Sequence, residues 1–511
     1  MTPRPLFILT IYSHYFKITQ IEARVGYLIN KFKYRFQQMT WRPNRGKVER
    51  VEGKLFAVNI KNGQEYRFHI NVLSEFKEYM ALSGYKSELY HTVVAEMYEP
   101  AKVHLKLKDG IAPRPQQVSF VEYIVKKDYN RSKFIGLQPG SGKTVITAIA
   151  LAKMGVRSAM VLLPRYIPKW VIDIQSLFKA RPEDILVIEG SAQLKGLIML
   201  ARSKKEIPPF TLISNRTLSN FIKNFDEDPG SVLLEGYDCT PDDLFKVMKV
   251  GAVVIDEVHL EFWSTYNMLL HTHVPLFAGL SGTLINNDRF MTTQYETVFP
   301  KNSRAELPDN NRYIKTYPVS YSINAINKIR TTEWGSTFYS HHAFEQSIMK
   351  NHHLLQSYKK MIAHVVDIGY IKEYQKSDKV AIYASSIAMC TLLTEYFKKL
   401  YPHLDVRRFV QDDPHENIVE PDIIVTTILS GGTAHDIPNL RTVILTINIM
   451  SAQSNVQTSG RLRELKDRDV KFFFLWCMEV DKHKEYYEAR KEMLKDRVRF
   501  IKDYQYGLMD R

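Results

Sequence analysis

The sequence predicts an α/β protein, with two parallel-sheet domains in tandem behind a small basic α+β domain. Three observations carry that expectation. Short β-branched runs alternate with helical stretches over residues 109–300 and again over 373–480, the rhythm of βαβ units. A glycine-rich turn ending in Lys143-Thr144 occurs in the first of these stretches only. Residues 1–60 hold eleven Lys and Arg against three Glu and no Asp, about half of the +15 formal charge of the 511-residue chain.

Residues 1–108 read as a separate N-terminal domain. From Lys31 to Lys47 cations interleave with aromatics. Alternation at period two predicts a strand with Lys31, Lys33 and Arg35 on one face and aromatics on the other. That basic face is expected to meet nucleic-acid phosphates, and Trp41, Arg42 and Arg45 extend it around a turn at Pro43-Asn44-Arg45-Gly46. Residues 53–58 and 66–70 read as further strands, and 73–83 as a helix.

The first α/β stretch, 109–300, opens at Arg114-Pro115-Gln116-Gln117. The Gln117 amide offers a donor and an acceptor side by side, as an adenine edge requires, although taken alone it reads as a solvated helix start. Residues 133–137 read as a strand and 145–154 as a helix, which puts Gly140, Ser141 and Gly142 at the turn between them. There the backbone N–H groups up to Thr144 converge on an oxyanion. Lys143 would reach the β- and γ-phosphates of ATP, and the Thr144 hydroxyl would ligate Mg²⁺. Leu137 stands where the usual pattern has its first glycine. Downstream, Val253-Val254-Ile255 ends in Asp256-Glu257, a buried parallel strand delivering carboxylates at its C-terminal edge. Asp256 is placed to hold Mg²⁺, and Glu257 to orient or deprotonate water. Further strands are expected at 159–165, 185–188, 210–214 and 277–283, with a surface insertion at 222–250.

Residues 301–372 read as a helical connector, and the pairs His341-His342 and His352-His353 in it as surface histidines rather than zinc ligands. The second α/β stretch, 373–480, has strands at 379–386, 404–410, 423–427 and 442–446, but no phosphate loop of its own. It offers Gln457 and Arg461 four residues apart, on one helix face. An arginine brought to a γ-phosphate by domain closure makes hydrolysis depend on that closure. Residues 481–511 read as a helical tail packed back on this domain.

Taken in order, these stretches resemble the superfamily 2 helicases with two RecA-like domains. The resemblance covers residues 110–480 and runs through Arg114–Gln117, Leu137–Thr144, Asp256-Glu257-Val258-His259, Ser281-Gly282-Thr283, Thr427–Pro438 and Gln457–Arg463. It implies that Gln117, Gly140, Ser141, Gly142, Lys143, Thr144, Asp256, Asp436 and Arg461 bind ATP and its metal. Lys143, Glu257, Gln457 and Arg461 would carry the hydrolysis. It further implies that Pro164, Arg165, Thr217, Ser385, Ser386 and Thr427 touch the nucleic-acid backbone. The motif around Arg461 departs from the family pattern, because Glu464 stands where an arginine is usual and Arg463 comes one residue early. Within the superfamily the chain resembles the UvsW-type phage helicases and the poxviral DExH transcript-release helicases, on the Gly279-Leu280-Ser281-Gly282 sequence and the basic-aromatic N-terminal region. That resemblance implies ATP-driven remodelling of branched DNA, 3′ to 5′, in replication, recombination and repair, by a monomer.

Three widely spaced cysteines, Cys239, Cys390 and Cys477, exclude a disulfide framework and fit a reducing intracellular compartment, the host cytoplasm for a viral chain. No run approaches a membrane span. The residues leave DNA and RNA both open as partner, since contacts to phosphates carry no base code. A translocase that releases transcripts or a polymerase, and an RNA helicase, remain alternatives.

Overall fold

The computed structural model describes residues 5–44, 47–60, 63–127, 131–137, 142–203, 205–282, 288–306, 313–411, 413–431, 437–449, 458–465, 467–495 and 497–510. The chain forms two compact units, one built from the sequence up to Glu306 and the other from the sequence beyond it. Each contains a parallel sheet flanked by helices, the tandem RecA-like arrangement, and the first also carries a small N-terminal α+β region.

In that region β1 (Ile8–Ile11), β2 (Tyr15–Thr19), β5 (Val58–Ile60), β6 (Glu65–His69) and β7 (His91–Val94) make a sheet of order β5-β6-β2-β1-β7, while β3 (Gln37–Asn44) and β4 (Lys47–Leu55) pair separately. Lys33 and Arg35 do not lie on the expected strand. Helix α1 (Ala23–Lys33) continues through Lys31 and Lys33 into a 3₁₀ turn, Tyr34–Phe36. The deciding pattern is Val25, Ile29, Phe32 and Phe36, all buried at spacings of three and four that favour a helix. Helix α2 (Leu73–Leu82) closes the region.

This region is not the free-standing domain the sequence predicts. Its core is continuous with that of the following sheet. Phe56 packs edge-on against Tyr266 at 5.0 Å, and Trp263 Nε1 donates to Leu55 O at 2.9 Å. Buried Arg67 reaches Asp242 at 2.5 Å and His271 Nδ1 at 2.7 Å. Asp242 belongs to the segment expected as a surface insertion. That segment instead folds, with Val232, Tyr237, Leu244, Phe245 and Met248 buried.

The first parallel sheet comprises β8 (Ser132–Gly136), β9 (Ser158–Leu162), β10 (Ile185–Ile188), β11 (Phe210–Ser214), β12 (Ala252–Asp256), β13 (Leu276–Ser281) and β14 (Arg304–Glu306), in the order β10-β11-β9-β12-β13-β8-β14. Its central strands are buried on both faces, hence their continuous apolar runs. The helices that matter for the site are α3 (Pro115–Val125), α4 (Lys143–Met154), α5 (Ile167–Leu177), α6 (Ser191–Arg202) and α7 (Asn215–Glu227).

In the second unit β15 (Ile314–Ser322), β16 (Lys379–Ala384), β17 (Val406–Phe409), β18 (Ile423–Thr427), β19 (Leu440–Leu445), β20 (Val470–Cys477), β21 (Phe500–Ile501) and β22 (Tyr504–Leu508) form a second parallel sheet. Its order is β17-β18-β16-β19-β20-β15-β21, with β22 also on β15. Residues 314–322, assigned to a helical connector, form an interior strand, and the helix His352–Gly369 buries Leu354, Tyr358, Met361, Ile362 and Val366 in this unit's core. The tail is a helix, Asp481–Leu494, followed by two short strands of the sheet. His341 is also buried, donating to or accepting from Tyr339 Oη at 2.8 Å, whereas His342, His352 and His353 are exposed.

Among the described residues no helix is long and apolar enough to cross a membrane, and no three or more His, Cys, Asp and Glu gather as a metal site made of these residues alone.

Candidate nucleotide site and nucleic-acid face

The site in the first unit is built at the C-terminal ends of β8, β13 and β12, three adjacent strands. Ends of parallel strands are where open α/β sheets bind ligands. Here Leu137 N donates to Ser281 O at 2.9 Å and Val258 N to Leu280 O at 3.0 Å, so the chain leaving β8 and the chain leaving β12 are both fixed against β13.

Gly142 precedes α4 in the left-handed region at φ +86°, with no side-chain cap. A Cβ there would fall 2.3 Å from Gln117 Nε2. Gln117 is buried near the start of α3, where its Oε1 accepts from Arg114 N at 2.9 Å. The amide therefore touches the loop residue that introduces Lys143. Only glycine allows both that conformation and that approach. Lys143 and Thr144 open α4, so their N–H groups belong to its first turn.

Lys143 Nζ lies 2.8 Å from Glu257 Oε1, with both side chains largely shielded from solvent. Glu257 follows β12 at φ +49°, a strained backbone for a non-glycine residue, of a kind that gathers at functional sites. Asp256 Oδ2 accepts from Trp170 Nε1 at 3.0 Å, and its Oδ1 from Glu257 N at 3.0 Å. Burial pushes the Asp256 carboxyl above the usual carboxylate range; Lys143 opposes this and the Glu257 charge adds to it. Behind them His259 Nδ1 lies 2.5 Å from Ser281 Oγ and 3.4 Å from Glu257 Oε2. Burial brings His259 down to about 4, against the pull of Glu257, so it is neutral at pH 7.

A second feature of the same unit lies beside α6 and α7. A cavity of about 470 Å³ is lined by Pro164, Gly190, Ser191, Arg216, Thr217 and Tyr237, among others. Both helices start at it without a side-chain cap. Pro164 and Thr217 thus share one concavity, while Arg165 is exposed beside it with its guanidinium 5.0 Å from the Tyr166 ring centre. Sequence reasoning missed Arg216 and Ser191, which carry no signal until the fold brings the two helix starts together. It also assigned no role to Trp170.

Arg35 Nη1 pairs with Glu75 at 2.6 Å, and Lys33 Nζ sits 4.9 Å from the Tyr34 ring centre. Trp41 and Arg42 supply backbone to β3. In the second unit, Ser385 donates through N and Oγ to Glu345 at 3.0 and 2.5 Å. Ser386 donates to Glu345 at 3.4 Å and caps the next helix at Met389 N. Glu345 itself is fully buried, and burial raises it against the serine hydrogen bonds. Thr427 Oγ1 accepts from Ser430 N at 3.2 Å. Arg461 is buried. Arg45, Gly140, Ser141, Asp436 and Gln457 lie outside the described residues.

No family model and no curated protein matches this chain. Among solved structures it is similar to S. cerevisiae Dbp5 bound to RNA and ADP BeF3, at 11% identity over 80% of this chain and 96% of that one, with a TM-score of 0.46. It is similar to the Pyrococcus furiosus Hef helicase domain at 15% identity over 76% and 100% of the two chains, with a TM-score of 0.43. It is also similar to T4 UvsW at 14% identity over 98% and 99%, with a TM-score of 0.35.

Proposed function

We propose that the chain is an ATP-hydrolysing superfamily 2 helicase or translocase acting on DNA, and that it remodels branched DNA by 3′-to-5′ movement. The observation that carries this reading is the Lys143–Glu257 pair at 2.8 Å, held beyond the ends of β8 and β12, the two parallel strands that flank β13, beside a left-handed glycine. That pair joins a phosphate-binding cation to the carboxylate that would handle the attacking water. Lys143 would bind the β- and γ-phosphates, and Glu257, released from Lys143 by the phosphate, would accept the proton of water. Gln117 would hold the loop and the adenine side. Thr144 and Asp256 would hold a divalent cation. Asp256 is a carboxyl that burial raises and that two N–H donors orient, and a cation would restore its charge. Mg²⁺, when bound, supplies neutralisation of the phosphate charge. In the second unit, Arg461 is assigned the arginine that makes turnover depend on domain closure, with Gln457 and Asp436 beside it in the sequence pattern.

The cavity at Pro164 and Thr217, with two uncapped helix starts, suits a sugar-phosphate backbone. Ser385, Ser386 and Thr427 are assigned the same role in the second unit, and Lys33, Arg35, Trp41, Arg42 and Arg45 in the N-terminal region. The formal charge of +15 supports a polyanionic partner.

The test is the steady-state ATPase rate with no polymer, single-stranded DNA, forked DNA, a Holliday junction or single-stranded RNA, with Lys143→Ala as control. Strongest stimulation by branched DNA is expected. Stimulation by RNA alone would replace this reading with an RNA helicase. Stimulation by no polymer would favour a translocase that needs a polymerase or transcript complex.

A further inference from the structure

We propose that the loop Thr331–Ser340 of the second unit is a stacking platform for unpaired nucleobases, with Trp334 and Phe338 as its faces. The proposal rests on the nucleic-acid reading above.

Trp334 is 94% exposed and Phe338 67% exposed. Large aromatics held in water on a floppy loop would collapse onto the nearest apolar surface, but this loop is tied. Ser340 N donates to Thr331 O at 2.8 Å, and Thr332 bridges Tyr339 across its neck. At the tip, Ser336 N donates to Glu333 O at 3.1 Å across Gly335, whose φ of +75° makes the reversal. Phe338 N donates to Ser336 Oγ at 3.1 Å. Below the neck, Tyr339 Oη bonds the buried rings of His341 and His483. The scaffold is anchored in the core while the two rings face out.

Charge and position select the occupant. The approach to the loop carries Lys328 and Arg330, both exposed. Its one carboxylate, Glu333, accepts from Ser340 Oγ at 2.8 Å. Ser340 also caps the helix His341–Lys350, and five residues along that helix Glu345 grips Ser385 and Ser386. Five residues of helix rise about 7.5 Å, which separates the end of the aromatic loop from the carboxylate that holds the serines assigned to the backbone. Bases that turn away from a bound backbone would meet these rings, and every base offers a π-face. Stacking of this kind tolerates any sequence, which suits a translocase.

The test uses the full chain with Trp334→Phe, Trp334→Ala and the double variant Trp334→Ala/Phe338→Ala. The ligand is an oligothymidylate carrying one 2-aminopurine, scanned through successive positions. Wild type and Trp334→Phe are expected to change 2-aminopurine emission strongly at one or two adjacent positions. The double variant should lose that signal and bind roughly tenfold or more weakly, as removal of a stacking contact predicts. Thermal melts equal to wild type would confirm that the surface variants fold. If wild type binds and the double variant gives the same emission and affinity, the loop serves a protein partner and the proposal is overturned. If wild type binds no polymer at all, the nucleic-acid reading fails first and takes this inference with it.

Discussion

Lys143 Nζ and Glu257 Oε1 form an ion pair of 2.8 Å, although their residues are 114 apart in sequence and stand on different strand–helix junctions. Each neutralises the other, and in the proposed reaction a phosphate would compete for the lysine. Glu257→Gln is therefore expected to keep ATP binding and to lower hydrolysis by about 10²–10⁴-fold. Lys143→Ala should lose both. Nucleotide titration and steady-state phosphate release separate the two outcomes.

Gly142→Ala meets two obstacles, a φ of +86° and a contact of 2.3 Å with Gln117 Nε2. The left-handed backbone alone costs on the order of 1–3 kcal/mol in a non-glycine residue. Nucleotide affinity should fall sharply. Adding Gln117→Ala should recover the part due to the clash and leave the part due to φ. No recovery would mean that Gln117 does not limit the loop.

Ser281→Ala removes the partner 2.5 Å from His259 Nδ1 without touching Lys143 or Asp256. A lost hydrogen bond of about 1.5 kcal/mol corresponds to roughly tenfold in rate. If His259, 3.4 Å from Glu257 Oε2, acts by positioning that carboxylate, the expected signature is a fall in kcat with KM for ATP little changed.

Arg67→Met strands Asp242 and His271 in a buried interface. Removing one partner of such a cluster costs about 3–5 kcal/mol. Denaturant melts should show that loss, and Arg67→Met/Asp242→Leu should recover much of it.

Stability is expected to fall below about pH 6.5. Burial brings His14 and His69 down to about 3, so they stay neutral in the folded state while the unfolded chain takes up protons at about 6.5. Their contribution is complete above the unfolded value and is lost as pH falls towards 3, at up to about 1.4 kcal/mol per pH unit for each group. His271 runs the other way. Burial and Arg67 lower it, but Asp226 and Asp242 win and raise it; its contribution is present below 6.5 and is lost as pH rises through the folded value. Denaturant midpoints at pH 7.5 and 5.5 check the balance, and His14→Asn should flatten the acid side.

How much of this was legible depended on how local each signal was. Gly142-Lys143-Thr144 and Asp256-Glu257 were readable because loop and strand end carry their chemistry in a few consecutive residues. The buried strands announced themselves as β-branched runs. Strand β15 did not, because Pro318 sits in it, and proline argues against an interior strand. The structure resolves that conflict: Lys315 and Thr316 pair with β21, pairing resumes at Val319 with β22, and Pro318 faces the break between them. Lys33 and Arg35 misled because a six-residue alternation masked a longer helical spacing. Asp242 and Glu345 were invisible, since their partners Arg67 and Ser385 lie 175 and 40 residues away.

The shared core of the N-terminal region also sets an order of events during synthesis. Strand β7 is complete at Val94, but Tyr266 and His271, which cover Phe56 and Arg67, emerge about 170 residues later. At about 5–20 residues per second, the nascent sheet waits roughly ten to thirty seconds for its other face. Through that interval its aromatic surface is a natural substrate for chaperones.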